Sequence, residues 1–193
     1  MAIKLYDALK SSYGNSESKL KLKNAGYEYD NSLSSGNQQV WYNPNDKKLM
    51  VNVAGTHNLS DWGTDLYLGL GKLKDTNRYK EAEKVLKEAK NKYSPSQTTI
   101  TGHSLGSQIG ANIASKNDFF YGLDGGYTIG QKTRSYDGNH KHFRTSGDAV
   151  SLFGANAKNM TTLSNPNFQS GIIPFDAFNA HNIDNIKNEN IYV

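Results

Sequence analysis

Gly102-His103-Ser104-Leu105-Gly106 fits the pattern G-x-S-x-G, set between a β-branched run, Thr98 to Thr101, and a helical pattern of small residues from Leu105 to Ser115. A turn that tight between strand and helix puts its central serine in a strained conformation, and a Cβ on the flanking positions would collide with the adjoining elements. Gly102 and Gly106 meet that need, and Gly110 and Ala111 permit close packing of the helix on a sheet. Such a turn exposes the Ser104 hydroxyl and aims the Leu105 N–H, at the positive end of a helix, toward an oxyanion formed beside it. The chemistry implied is nucleophilic attack on an ester carbonyl. The chain has no cysteine, so its nucleophile must be an oxygen or nitrogen group, and disulfides and thiolate metal sites are excluded.

A serine hydroxyl needs a base with a pKa near 7, which points to histidine. Of the five histidines, His103 lies inside the turn and is directed elsewhere, and His57, His140 and His142 fall on loop or strand positions. His181 stands farthest toward the C-terminus, as the chain order Ser, acid, His of α/β-hydrolases requires. The orienting acid then lies between Ser104 and His181. Asp148, just past the strand candidate His142 to Thr145, is preferred to Asp118, Asp124, Asp137 and Asp176, although another of these aspartates remains an alternative. His140 and His142 have the spacing of a metal pair but no third ligand nearby, so neither metal nor cofactor is expected.

The elements that must position these residues can be read in outline. Ala2 to Ser12 suits a short amphipathic helix ending near Gly14, and the Ser, Asn and Lys rich stretch Ser16 to Gly36 reads as loop with short strands. Val40 to Tyr42 and Leu49 to Ala54, separated by the turn Asn43-Pro44-Asn45-Asp46, read as a hairpin. Tyr79, Ala82, Leu86, Ala89 and Tyr93 form one stripe of a helix from Asn77 to Tyr93, capped by Asp75 or Thr76. Phe119 to Leu123 is a further strand, and the Asn-rich tail after Leu163 is mostly irregular apart from the apolar islands Ile172-Ile173 and Phe175. Alternating strands and helices predict an α/β fold with a mostly parallel sheet.

With 193 residues the chain suits one domain over 1–193, and 22 Lys plus Arg against 18 Asp plus Glu give a net charge of +4. The lysines are scattered among carboxylates, so nucleic acid is not the expected partner. No run approaches the ~18 consecutive apolar residues of a membrane-spanning helix. Met1 to Gly14 lacks the apolar core of a secretory signal, so a soluble protein, cytoplasmic or virion-associated, is expected.

These residues resemble the class 3, fungal-type, lipase family of the α/β-hydrolases. The likeness runs with gaps over most of the chain and is sharpest from Leu49 to Ala114. Val53-Ala54-Gly55-Thr56 looks like the family's strand ending in Arg-Gly-Thr or Arg-Gly-Ser, and Asp61-Trp62 and Asp65-Leu66 resemble its DW and D-L pair. Gly102 to Gly106 matches its GHSLG turn, Ser146 to Val150 resembles its aspartate segment and His181-Asn182-Ile183 its histidine segment. The chain is also similar to short lipase-like proteins of DNA viruses of protists.

The resemblance implies Ser104 as nucleophile, Asp148 as acid, His181 as base, and the N–H groups of Thr56 and Leu105 as oxyanion donors. Ala54 departs from the family, which has Arg there, so the role of that Arg is lost or supplied from elsewhere. Leu59, Trp62, Leu66 and Leu70 share one helical face where the resembled lipases carry a mobile lid; the same stripe equally suits a permanently docked helix. The expected substrate is a lipid ester, acylglycerol or phospholipid, met at a membrane or micelle interface. An esterase or thioesterase for soluble acyl compounds and a catalytically silent structural or virion module are the alternatives, and oligomeric state is open.

Overall fold

The computed structural model describes residues 1–56, 72–126, 138–148, 150–151, 160–165 and 179–193. Among the described residues four α-helices, α1 (Leu5–Ser12), α2 (Ser16–Asn24), α3 (Asn77–Tyr93) and α4 (Leu105–Ile113), accompany seven strands. The strands are β1 (Glu28–Tyr29), β2 (Gln38–Asn43), β3 (Lys48–Val53), β4 (Gln97–His103), β5 (Phe119–Leu123), β6 (His140–Thr145) and β7 (Met160–Leu163). They form one sheet in sequence order. The pairs β1–β2 and β2–β3 are antiparallel, and β3 to β7 run parallel.

Side-chain alternation along β3 sorts the two faces of the sheet. Leu49, Val51 and Val53 meet α3 and α4 together with Ile100 of β4, whereas Met50 packs with Leu22 of α2 and Trp41 on the opposite face. Asn52, on that second face, is buried and hydrogen-bonds Ser11 of α1 and Thr101 of β4. Beside them Leu5 and Leu9 of α1 join Leu123, Phe143, Ile183 and Ile186 in a third cluster, which ties the C-terminal segment to the sheet. Among the described residues no helix is long and apolar enough to cross a membrane.

Several expectations need correction. Ser16–Asn24 is helical, capped by the Asn15 side chain accepting from Ser18 N–H. Its stripe was illegible because only Ser18 and Leu22 are buried on it. Of the two cap candidates for α3 it is Thr76 that accepts from Tyr79 N–H. α4 stops at Ile113, β6 begins at His140, and β7 adds a strand that the sequence does not predict. Ile172, Ile173 and Phe175 lie outside the described residues.

The joint that positions the site is the seat of α4 against the sheet. A Cβ on Gly102 would run into the Gly106 backbone, and a Cβ on Gly106 would run into the carbonyl oxygens of Val53 and Ala54. Backbone cannot retreat from such a clash as a flexible side chain can. Gly106→Ala is therefore expected to destabilise the protein by about 3 kcal/mol, at the upper end of ordinary overpacking, as a lowered urea midpoint. A midpoint equal to the parent's would mean that α4 is not seated so closely.

Candidate active site

Ser104 is the single residue between β4 and α4, and it sits at φ +56° and ψ −125°, a conformation that costs a non-glycine residue energy. Its N–H donates to Leu123 O at 2.9 Å, extending the β4–β5 pairing into the turn. Its hydroxyl is buried and has no hydrogen-bond partner among the described residues. A buried unsatisfied hydroxyl costs about 1 to 3 kcal/mol, so this arrangement is one that packing alone would not favour.

The structure brings Asp148 and His181 together. His181 Nδ1 donates to Asp148 Oδ1 at 2.8 Å, with both side chains almost fully buried. The carboxylate also accepts from Ser151 N–H at 2.8 Å, from Ser151 Oγ at 2.5 Å and from Val150 N–H at 3.3 Å. Four donors hold this carboxylate, enough to keep a buried anion satisfied. Asp118 lies elsewhere, paired with Lys90 at 2.7 Å and accepting from Ser115. His140 and His142 are buried on β6 beside Phe120. His57, Asp137, Asp176 and the stripe Leu59, Trp62, Leu66 and Leu70 lie outside the described residues.

His103 carries contacts that its place inside the turn does not reveal. Its Nε2 lies 3.0 Å from His181 O, which can only accept, so Nε2 carries the proton and Nδ1 is the acceptor. The Tyr13 hydroxyl, 2.9 Å from Nδ1, must then donate to it, while the same oxygen accepts from Gly55 N–H at 2.8 Å. A continuous chain of hydrogen bonds thus runs from Gly55, just past β3, through Tyr13 at the C-terminal cap of α1 and His103 of β4 to the backbone of His181. Burial pushes the Tyr13 hydroxyl up to about 12, which keeps it a donor. Burial, with the neighbouring His181, holds His103 well below its ordinary range and therefore neutral.

Both peptides that meet at Gly55 are held through their carbonyls as well. Arg78 of α3 donates through Nη2 to Ala54 O at 2.6 Å and through Nη1 to Gly55 O at 3.4 Å. No described peptide is cis, so the Thr56 N–H points opposite the Gly55 carbonyl that Arg78 holds. A Cβ on Gly55 would sit 2.6 Å from the Tyr13 hydroxyl and 3.0 Å from Ser104 Cβ, which places this peptide directly beside the serine. Arg78 thus engages the backbone where the resembled family carries an Arg at the position of Ala54. Tyr13 and Arg78 lie 42 and 23 residues from Gly55, and no local pattern announces either contact.

α1 also steadies the histidine segment. Tyr6 and Lys10 both bind Asp184, three residues past His181, at 2.9 to 3.0 Å. Asn185 bonds the carbonyls of Asn179 and Ala180. Polar atoms of His103, Asp124 and His181 all fall within 4.8 Å of one another, donor types that could hold a divalent cation. Both nitrogens of His103 and Nδ1 of His181 are already engaged in hydrogen bonds, so this cluster is organised for proton and charge placement.

Two buried imidazoles give the fold a pH signature. Burial, with His140 beside it, lowers His142 from 6.5 to about 4, and His103 is depressed too. Because the unfolded chain binds these protons first, stability is full above about pH 6.5 and is lost as pH falls through the folded values. Asp124, raised by burial and by Asp148, acts in the opposite sense and offsets part of this slope. The urea midpoint is expected to drop from pH 6.5 toward 4, and less steeply in His142→Gln. An identical slope in that variant would remove His142 from the explanation.

No family model matches the sequence, and no curated protein matches it. Solved structures do match. One is a triacylglycerol lipase whose catalytic centre is described as a serine protease triad, at 11% identity and a TM-score of 0.50, with 77% of this chain and 72% of that chain covered. Another is the N225Q form of MDLA from Penicillium cyclopium, at 11% identity and a TM-score of 0.50, with coverages of 91% and 80%. Rhizomucor miehei lipase in its propeptide complex matches at 12% identity and a TM-score of 0.45 over 78% of this chain, which spans 62% of that lipase. At such identities the likeness is one of fold: the sheet and its flanking helices form a reduced α/β-hydrolase fold.

Proposed function

We propose that the protein is a serine hydrolase that cleaves carboxylic esters of lipids through an acyl-enzyme intermediate. The observation that carries this reading is the strained, buried Ser104 hydroxyl, without a hydrogen-bond partner among the described residues, together with a buried His181–Asp148 pair whose imidazole lies 4.6 Å from the ring of the adjoining His103. In this reading Ser104 Oγ attacks the ester carbonyl carbon while His181 Nε2 takes the hydroxyl proton. Asp148, already bonded to Nδ1, fixes the tautomer that leaves Nε2 able to accept and balances the imidazolium that forms.

The carbonyl oxygen becomes an oxyanion, received by the Leu105 N–H at the first turn of α4 and by the Thr56 N–H, whose peptide carbonyl Arg78 holds. Loss of one such donor typically lowers turnover by about a hundredfold or more. His181 then returns its proton to the departing alcohol. Water, deprotonated by the same imidazole, attacks the acyl carbon, and the proton passes back to Ser104 as the carboxylic acid leaves.

The substrate class follows the expectation from the sequence, in which Leu59, Trp62, Leu66 and Leu70 suit a lid over a lipid ester or, equally, a docked helix. The charge of +4 favours anionic or zwitterionic surfaces modestly. The purified protein is expected to react with a fluorophosphonate probe and to hydrolyse long-chain esters in micelles or vesicles faster than short soluble ones. Ser104→Ala should lose both activities. Undiminished labelling of that variant would move the nucleophile elsewhere, and a preference for short soluble esters would replace the lipase reading with an esterase one. An unlabelled parent protein would leave a silent module.

A further inference from the structure

The site contains a second buried carboxyl that the reaction above does not use. Asp124 directly follows β5 as Asp148 closely follows β6, so neighbouring parallel strands deliver two aspartates to one end of the sheet. Asp124 is completely buried and adopts φ +47°, an unusual conformation for a residue with a side chain. Thr145 holds its carboxyl from N–H at 2.6 Å and from Oγ1 at 2.9 Å. One of its oxygens lies within 4.8 Å of a ring nitrogen of His181 and of one of His103.

Two adjacent buried carboxyls do not both carry charge readily, since each anion raises the cost of the other. Asp148 has four donors around it and Asp124 has two, so the shared negative charge belongs on Asp148. Burial first and the Asp148 charge second push Asp124 well above the ordinary carboxylate range, while Arg144 and the Thr145 hydrogen bonds pull the other way. The charged or titratable groups facing it are therefore Asp148, Arg144, His103 and His181.

We propose that Asp124 is a positioning residue for His181, a second acid held beside the imidazole that takes over its orientation and charge balance when Asp148 is absent or neutralised. The inference rests on the serine hydrolase reading of the site. With the Asp148 charge gone, the repulsion that favours the neutral form of Asp124 disappears. Asp124 then releases its proton to solvent and becomes the anion opposite the imidazolium, a small side-chain movement bringing its oxygen to a His181 ring nitrogen. Nothing else in the reaction changes.

The test compares Asp148→Ala with Asp148→Ala/Asp124→Asn, read as the rate of fluorophosphonate labelling against pH. The single variant is expected to keep at least tenfold more reactivity than the double variant, with an additional rise toward high pH as Asp124 ionises, absent from the double variant. Proton NMR supplies a signature independent of turnover: a low-field His181 Nδ1–H resonance should persist in the single variant and vanish in the double. If the double variant folds poorly, Asp148→Ala/Thr145→Val, which removes one of the hydrogen bonds to Asp124, should displace the same pH step. Equal rates, profiles and spectra in single and double variants, with the parent protein labelled normally, would overturn the role of Asp124 alone. A parent protein without labelling would overturn the hydrolase reading and this role with it.

Discussion

Everything at the site hangs on a joint one residue long. β4 ends at His103 and α4 begins at Leu105, so Ser104 must reverse the chain by itself and pays in backbone strain. The joint closes only because Gly102 and Gly106 let the first turn of α4 touch the ends of β3 and β4. Close seating places the N-terminus of α4, the end of β3 and the serine hydroxyl within one small volume. A longer connection would relieve the strain and lose that convergence.

Around the joint the protein builds a buried polar network, which is expensive unless nearly every member is satisfied. The chain Gly55 N–H to Tyr13 to His103 to His181 O shows how the burial is tolerated, since every hydrogen bond along it runs in one consistent direction. α1 and its cap contribute twice, through the capping Tyr13 to the centre and through Tyr6 and Lys10 to Asp184 behind the histidine. The exposed Lys10–Asp184 pair adds little energy by itself. Leu5 and Leu9, packed with Ile183 and Ile186, supply the apolar contact that holds the C-terminal segment in place.

The legible and illegible parts of this protein divide by range. The turn at Ser104, the hairpin β2–β3 and the helix Asn77–Tyr93 follow from local spacing, because glycine, alternation and a 3.6-residue stripe each act within a few residues. The pairing of Asp148 with His181 was reachable because chain order narrows the choice. The contacts of Tyr13, His103, Arg78 and Asp124 are not legible because each acts across the fold, between elements that only the sheet brings together. The spacing directs His103 away from the Ser104 hydroxyl, and the structure sends it into the hydrogen-bond network of Tyr13 and His181. Helix α2 escaped for the opposite reason, its amphipathic signal being too weak to outweigh a Ser, Lys and Asn rich composition.

The most direct measurement is a crystal structure of the protein after reaction with a long-chain alkyl phosphonate. The account expects phosphorus bonded to Ser104 Oγ, the phosphoryl oxygen within hydrogen-bond distance of the Thr56 and Leu105 N–H groups, and His181 Nε2 facing the ester oxygen. An adduct on another residue, or an imidazole at position 181 remaining out of reach of the modified serine, would contradict it.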